Sequence, residues 1–349
     1  MKKILITLED LFSIPTAEVF NSRNYTNLSH VSIDSRTIKS NSIYFALKGE
    51  KLDGHSFIND AVNKGAKAVF LNQDRADEFK KLKCTVIAVK NTTTAFGALA
   101  HIWRKKISAK VIGITGSNGK TTTKDTCATI LAEKFNVVST YSNNNNHIGV
   151  PLTIFDANEN TEALVLELGT NHFGEIEYAS AIAKPDYSIV TNIGASHLEF
   201  LIDLDGVTRE KEPIYFHTQE NNGLCLINND DPYLKPFKHK FKNHLTYGFK
   251  SKVDVKGVIE GFDKEGRTKL NIQYDEKELK LVLPIYGKSN AENILASVSL
   301  AYSMGMTNAE IKSGVNNIKA VKQRLNVRKY QSTMLIDDTY NANPESMTA

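Results

Sequence analysis

Cysteine is scarce in this chain of 349 residues: Cys84, Cys127 and Cys225 are odd in number and far apart. That spacing excludes a disulfide framework and a thiolate metal centre, and leaves three buried thiols in a reducing compartment as the expectation. Long apolar runs are missing as well. No stretch approaches the roughly 18–20 consecutive apolar residues that a membrane-spanning helix needs. Met1-Lys2-Lys3 followed by Ile4-Leu5-Ile6 imitates the start of a secretory signal, but Glu9 and Asp10 interrupt it and no small-residue cleavage site follows. Charge of one sign is also lacking. The 43 Lys and Arg stand against 39 Asp and Glu, and the residual +4 is spread along the chain. Such a balance suits a small anionic substrate and leaves no footprint for nucleic acid. Repeats and low-complexity segments are absent too, the Asn143–Asn146 run being too short to count. The expectation is a cytosolic protein with no membrane insertion and no nucleic-acid partner.

What is present is a hydrophobic content of 41% over a length too great for one ordinary core, so two or three domains are expected. Residues 1–105 alternate short apolar strands (Val31–Ile33, Ile43–Leu47, Ala68–Leu71, Val86–Val89) with helices at Phe57–Lys64 and Thr92–Lys106. From residue 106 to 320 the rhythm repeats around Lys110–Ile114, Ala163–Leu168, Ser188–Thr191 and Gly223–Ile227. Near-continuous apolar strands separated by helices imply a parallel sheet covered on both faces. Residues 245–285 instead alternate, as in Leu270–Tyr274 and Leu279–Leu283, and read as a small antiparallel appendage. Helices at Asn290–Met304 and Asn308–Asn316 close that part. The fold class is therefore α/β: a small N-terminal α/β domain, a central parallel-sheet domain with an appendage, and the start of a third α/β domain at 321–349. Strand Thr333–Ile336 and a helix begun at Pro344-Glu345-Ser346-Met347 cannot bury a core alone, so the chain is expected to end inside that domain.

Residues Gly113–Asp125 read Gly-Ile-Thr-Gly-Ser-Asn-Gly-Lys-Thr-Thr-Thr-Lys-Asp, a glycine-rich turn between a strand and a helix. Such a unit is built to hold phosphate. Glycines let backbone N–H groups close on the oxygens, the helix N-terminus adds partial positive charge, Lys120 neutralises β/γ charge, and Thr121 can ligate Mg²⁺. The general pattern puts a glycine where Ile114 stands; this chain offers Gly113, Gly116 and Gly119 instead, which points to a narrower group of ATP users. Four further clusters fall at strand ends, where open α/β sheets bind ligands. They are Asn143–Pro151, Glu167–Glu175, Thr191–Glu199, and Lys211 within Arg209-Glu210-Lys211-Glu212. The first, on its own, reads more readily as a plain polar loop without function. Glu167 ends an apolar strand and needs either a cation or water. His197 alone is more often a structural histidine than a ligand, and Lys211 alone is a solvated helical charge.

Together these clusters resemble the Mur ligases, the ATP-dependent amide-forming enzymes of peptidoglycan precursor synthesis, over essentially the whole chain. Gly116-Ser117-Asn118-Gly119-Lys120-Thr121 matches that family's phosphate loop, including its departure from the general pattern. Asp337-Asp338-Thr339-Tyr340-Asn341-Ala342-Asn343-Pro344-Glu345-Ser346 looks like the branch that adds D-alanyl-D-alanine. Asp34-Ser35-Arg36, Lys48-Gly49 and Asp53-Gly54-His55 fit the same branch. The resemblance implies a UDP-precursor-binding domain at 1–105, an ATP-binding domain at 106–320 and an incomplete third domain. It further implies that Gly116, Ser117, Asn118, Gly119, Lys120, Thr121 and Thr122 hold ATP. Thr121, Glu167, His197 and a carbamylated Lys211 would bind two Mg²⁺ ions, with Lys120, His197 and Lys211 as the catalytic set. Asn290 and Asn293 match the adenine-side motif, while Arg324 and Asp338 align with residues that meet phosphate and ribose. Ser35, Arg36 and Lys48 would contact the UDP end of a UDP-N-acetylmuramoyl-tripeptide, and Asn144, Asn145, Thr170, Asn171 and His172 the path of its sugar and peptide. A monomer is expected. Rival readings are the tripeptide-forming branch, folylpolyglutamate synthase, and a non-catalytic binder of the UDP precursor. Weak or absent turnover is expected of these residues alone.

Overall fold

Apolar β-branched and aromatic residues between turn formers build the first sheet. β1 (Glu18–Phe20), β2 (Val31–Ser32), β3 (Ser42–Phe45), β4 (Ala66–Asn72) and β5 (Thr85–Val89) pair in the order β1-β5-β4-β3-β2. β1 runs antiparallel to β5 and the remaining pairs are parallel. Every residue of β3 and β5 is buried, as a sheet covered on both faces requires. The computed structural model describes residues 4–250, 252–331 and 333–342, without the side chains of Lys329 and Tyr330. It divides into two units, Met1–Ser108 with His147–Asn160, and Ala109–Asn146 with Thr161–Ala349.

In the first unit the helix Thr92–Lys106 starts under the Asn91 side chain, which accepts from Thr94 N–H, and ends on Arg104, Lys105 and Lys106. Those cations suit the negative end of the helix dipole. The apolar helix Gly149–Asp156 packs on it: Phe155 meets Phe96 and Trp103, and Trp103 Nε1–H donates to Ala157 O. Residues 147–160 therefore belong with the first unit, although they lie within the stretch read as the central domain. Asp53-Gly54-His55 turns out to be an internal brace. Asn72 N–H donates to His55 Nε2, so Nδ1 carries the proton and donates to Asp53 Oδ1 at 2.6 Å. A Cβ on Gly54 would lie 2.7 Å from Leu47 O, which explains the glycine.

The second unit is a nine-stranded sheet. It adds β6 (Lys110–Thr115), β7 (Val137–Ser139), β8 (Ala163–Glu167), β9 (Tyr187–Val190), β10 (Leu224–Asn228), β11 (His244–Gly248), β12 (Val255–Phe262), β13 (Thr268–Tyr274) and β14 (Lys277–Val282). Their order is β14-β13-β12-β11-β10-β9-β6-β8-β7. The alternating segment is not a separate appendage. β13 runs antiparallel to both β12 and β14, as expected, but β12 joins β11 in parallel and so extends the main sheet. Helices Lys120–Leu131 and Lys288–Ser303 bury Cys127, Ile130, Leu131, Ile294, Leu295 and Val298 in the core shared with these strands. A hairpin of β15 (Asn326–Tyr330) and β16 (Thr333–Asp337) follows. Met1-Lys2-Lys3, the expected helix at Pro344–Met347 and the last four residues of the Asp337–Ser346 motif lie outside the described residues. All three cysteines are free and buried, with burial pushing Cys84 up to about 11 and Cys127 and Cys225 up to about 12.

The first unit's core turns on Phe45, stacked on Phe70 with ring centroids 4.0 Å apart and edge-on to Phe96. Phe45→Ala should destabilise that unit by ~3–5 kcal/mol, read from urea unfolding of both proteins. A change below about 1 kcal/mol would mean the pocket collapses around the smaller residue.

Candidate active site

β6 is flanked by β8 and β9, so the loops leaving the C-terminal ends of these three strands meet. The phosphate loop leaves β6 with φ of +145° at Gly116 and +79° at Gly119. A Cβ on Gly116 would lie 1.9 Å from Thr191 Oγ1, and one on Gly119 would lie 2.4 Å from Asn293 Oδ1. Only glycine fits at either place. The helix Lys120–Leu131 follows at once, and its first-turn N–H groups at Lys120, Thr121 and Thr122 have no intrahelical carbonyl to bond. They form an anion cradle.

The loop is held from the side by the segment after β9. Ser117 N–H donates to Asn192 O, and Asn118 N–H donates to Asn192 Oδ1 at 2.9 Å. Asn192 Nδ2 returns a bond to Asn118 O. Ser117 Oγ lies 3.0 Å from Gly194 O and from Ser196 Oγ, and accepts from Gly194 N–H. The Ser117 hydroxyl and the Asn118 amide thus brace the loop, and Asn192, to which no local sequence signal gave a role, holds it from the side. Beside the loop, Asn192, Asp230, Asp231, Tyr247, Phe249 and Glu292 line a cavity of about 200 Å³.

Lys120 folds back on its own loop, Nζ donating to Gly116 O at 2.8 Å and to Ser117 O at 3.2 Å. Burial lowers its pKa, partly offset by Glu167 and reinforced by Arg324. Glu167 closes β8 and is 1% exposed. Its Oε1 accepts from Thr121 Oγ1 at 3.2 Å and from Asn145 Nδ2 at 2.8 Å, while Thr140 Oγ1 takes its N–H. Its Oε2 is buried and has no hydrogen-bond partner. A carboxylate oxygen in that condition is costly unless something cationic fills the space before it. A divalent cation fits: one carboxylate, the neighbouring Thr121 hydroxyl, substrate oxygens and water are the donor set that Mg²⁺ accepts. Arg324 donates to Thr121 Oγ1 at 3.1 Å and lies over the Tyr340 ring, bringing a second cation to the same corner. Asp338 Oδ1 accepts from Leu325 N–H, tying the hairpin end to that arginine's segment.

Lys211 ends the helix Leu204–Lys211 and is 1% exposed, which overturns the reading of the run as a solvated face. Its amine is pushed down to about 7, first by burial and then by the Lys120 charge, with Glu210 acting in the opposite direction. His197 stands in the left-handed region at φ +54°. Its imidazole is lowered by burial and then by Lys120 and Lys211, so the three groups share one electrostatic neighbourhood. No group of three His, Cys, Asp or Glu able to hold a metal occurs among the described residues. An ion at His197 would therefore need oxygens from substrate or from a modified Lys211.

Of the substrate-side candidates, Asn145 is tied to Glu167 and its carbonyl accepts from Gly169 N–H. Asn144 is exposed in the same turn. Thr170 is buried, with its hydroxyl 2.9 Å from both His172 O and Glu210 Oε1. Asn171 and His172 are exposed, and their N–H groups point at Glu175 Oε2. Asn293 accepts from Thr123 Oγ1, and Asn290 donates to Tyr286 O. Ser35, Arg36 and Lys48 lie in the first unit. Ser35 is buried in a turn capped by Asp34, Arg36 forks onto Asp34, and Lys48 is exposed.

Two family models match the chain: "Mur ligase family, catalytic domain" over residues 27–104 and "Mur ligase middle domain" over residues 114–301. A UDP-N-acetylmuramoyl-tripeptide–D-alanyl-D-alanine ligase of Haemophilus influenzae is 34% identical over 99% of this chain and 75% of its own length. The Escherichia coli protein of the same name is 33% identical over 99% and 75%. Among solved structures, a MurF from Acinetobacter baumannii superposes with a TM-score of 0.87 at 30% identity, covering 100% of this chain and 76% of that one. A Thermotoga maritima MurF ligase in complex with ADP gives 0.80 at 30% identity, covering 91% and 73%.

A lysine with a folded pKa near 7 and an unfolded value near 10.5 weakens the fold fully below about pH 7. The penalty fades as pH rises through that window, because the unfolded chain then binds the extra proton. Lys211→Met should accordingly exceed the parent in stability by ~2–4 kcal/mol at pH 6 in CO₂-free buffer, the gap closing toward pH 10. Urea titrations across that range check it, and a gap independent of pH would contradict the assignment.

Proposed function

Because the chain belongs to the Mur ligase family, we propose that it joins D-alanyl-D-alanine to UDP-N-acetylmuramoyl-tripeptide, with ATP cleaved to ADP and phosphate. The observation that carries this reading is Glu167: a buried carboxylate with one unsatisfied oxygen, beside a phosphate loop and two cationic side chains. The curated relatives named for this reaction supply the substrates. No helix among the described residues is long and apolar enough to cross a membrane. We read the enzyme as a cytosolic monomer, acting where ATP and UDP-activated precursors are available.

A carboxylate acylates amines poorly, so the tripeptide carboxylate first attacks the γ-phosphorus of ATP, forming an acyl phosphate and releasing ADP. The amine of D-alanyl-D-alanine then adds to the acyl carbon, and the tetrahedral intermediate expels phosphate while the nitrogen loses a proton. The protein's task in both steps is placement and charge. Lys120 Nζ would move from the Gly116 and Ser117 carbonyls to the phosphate oxygens, where its charge offsets the charge developing in transfer. The N–H groups of Lys120, Thr121 and Thr122 would hold the β-phosphate side. Arg324 stands close enough to Thr121 to meet the outer phosphate. Glu167 and Thr121 would hold one Mg²⁺, and His197 with a carbamylated Lys211 a second; bound there, the ions supply Lewis-acid neutralisation of phosphate charge. The depressed pKa of Lys211 supports this, since only a neutral amine can take up CO₂ and become an anion.

Calorimetric titration with UDP-N-acetylmuramoyl-tripeptide and, separately, the corresponding dipeptide tests the substrate. At least tenfold preference for the tripeptide is expected. Preference for the dipeptide would move the chain to the preceding step, and binding of neither would remove the assignment. Lys120→Ala should keep the tripeptide affinity while weakening MgATP binding about tenfold or more, both read by calorimetry; unchanged MgATP affinity would sink the role given to Lys120.

A further inference from the structure

Glu210 lies one residue before Lys211, and nothing in its sequence context separates it from the charged run around it. The structure does. Its side chain belongs to a residue only 2% exposed, and both oxygens are engaged across the unit. Oε1 lies 2.9 Å from Thr170 Oγ1 and accepts from Ile176 N–H at 2.9 Å, while Oε2 accepts from Gly174 N–H at 2.7 Å. Gly174 is the N-cap of the helix Glu175–Ala183 and has no side chain to cap it. Glu210 therefore supplies, from another helix, the capping carboxylate that this N-terminus lacks.

The same helix grips the 170–174 loop at two more places. Arg209 lies over the Phe173 ring at 4.7 Å, and a Cβ on Gly206 would come within 3.3 Å of Phe173. Farther out, His172 packs on Phe200 with ring centroids 4.2 Å apart. The loop that carries Thr170, Asn171 and His172 is thus anchored at its base by Glu210, one backbone step from the buried Lys211 amine. A surface charge pair would not be built this way. Three donors from one loop and helix end hold this buried carboxylate in a single geometry.

We propose that Glu210 is a positioning residue, which locks the 170–174 loop to the helix bearing Lys211 and so sets the substrate-side wall relative to the phosphate loop. This rests on the reading of Thr170–His172 as the path of the UDP-linked precursor. Glu210 itself touches no reacting atom. Its loss should loosen precursor binding and leave the nucleotide side, braced separately by Asn192, unchanged.

The test compares the parent chain, Glu210→Ala, Glu210→Gln, Thr170→Val and the double variant Thr170→Val/Glu210→Ala. Calorimetry reads the affinity for UDP-N-acetylmuramoyl-tripeptide and for MgADP, and melting curves report stability. Glu210→Ala should bind the tripeptide about tenfold or more weakly, as expected for lost hydrogen bonds to a charged group, with MgADP affinity within twofold. Glu210→Gln, which keeps one acceptor oxygen but turns an amide toward Gly174 N–H, should fall between and serves if the alanine variant does not fold. In the double variant the two losses should be less than additive, since Glu210→Ala already breaks the contact that Thr170→Val removes. A lowered melting temperature with unchanged tripeptide affinity in both Glu210 variants would make the residue a structural cap and overturn the proposal, as would equal loss of both ligands. Failure of the parent chain to bind the tripeptide would instead remove the functional reading, and this inference with it.

Discussion

One buried carboxyl group gathers the loops of the candidate site in the second unit. Glu167 ends a buried apolar strand, where a carboxylate is expensive, and the surroundings satisfy only half of it. Thr121 and Asn145 converge on one oxygen, and the other faces no donor. Thr121 is fixed there because the helix begins directly after Gly119, whose absent side chain lets Asn293 approach. The phosphate loop, the strand end and the helix of Asn293 thus bring a carboxylate beside an anion cradle. Cationic side chains surround this point without neutralising it. Lys120 bonds its own loop carbonyls, and Arg324 bonds the Thr121 hydroxyl.

The loops that complete the site are held by polar contacts that reach far along the sequence. Asn192 binds the backbone of Asn118, and Glu210 binds the backbone of Gly174 and Ile176. Each uses a side chain to satisfy main-chain groups that would otherwise be stranded near the sheet edge. On the proposed reading, the nucleotide and precursor sides of the site are then braced by different residues, Asn192 and Glu210.

Local features were legible in the sequence. The strands β3 to β6 and β8 to β10, the helix Thr92–Lys106 and the phosphate loop were all recognisable, because apolar runs and glycine-lysine spacing act over a few residues. The three buried thiols followed from composition in the same way. What escaped depends on distant neighbours. Alternation in β12 to β14 marks antiparallel pairing correctly, yet only the parallel β11–β12 contact makes those strands part of the main sheet. Helix Gly149–Asp156 reads as part of the central stretch until Trp103 and Phe155 are seen to meet. Lys211 looks solvated in a run of charges; its burial is a property of the fold, and the resemblance to a known family pointed to it where spacing could not. Glu210 carried no local signal at all.

The most direct measurement is the magnesium dependence of ATP binding to the parent chain and to Glu167→Gln, by calorimetry with and without excess EDTA. The account predicts that Mg²⁺ tightens ATP binding to the parent at least tenfold, and that most of this gain disappears in Glu167→Gln while metal-free affinity is kept or improved. An equal magnesium effect in both proteins would contradict it, because the unsatisfied oxygen of Glu167 would then have no cation to meet.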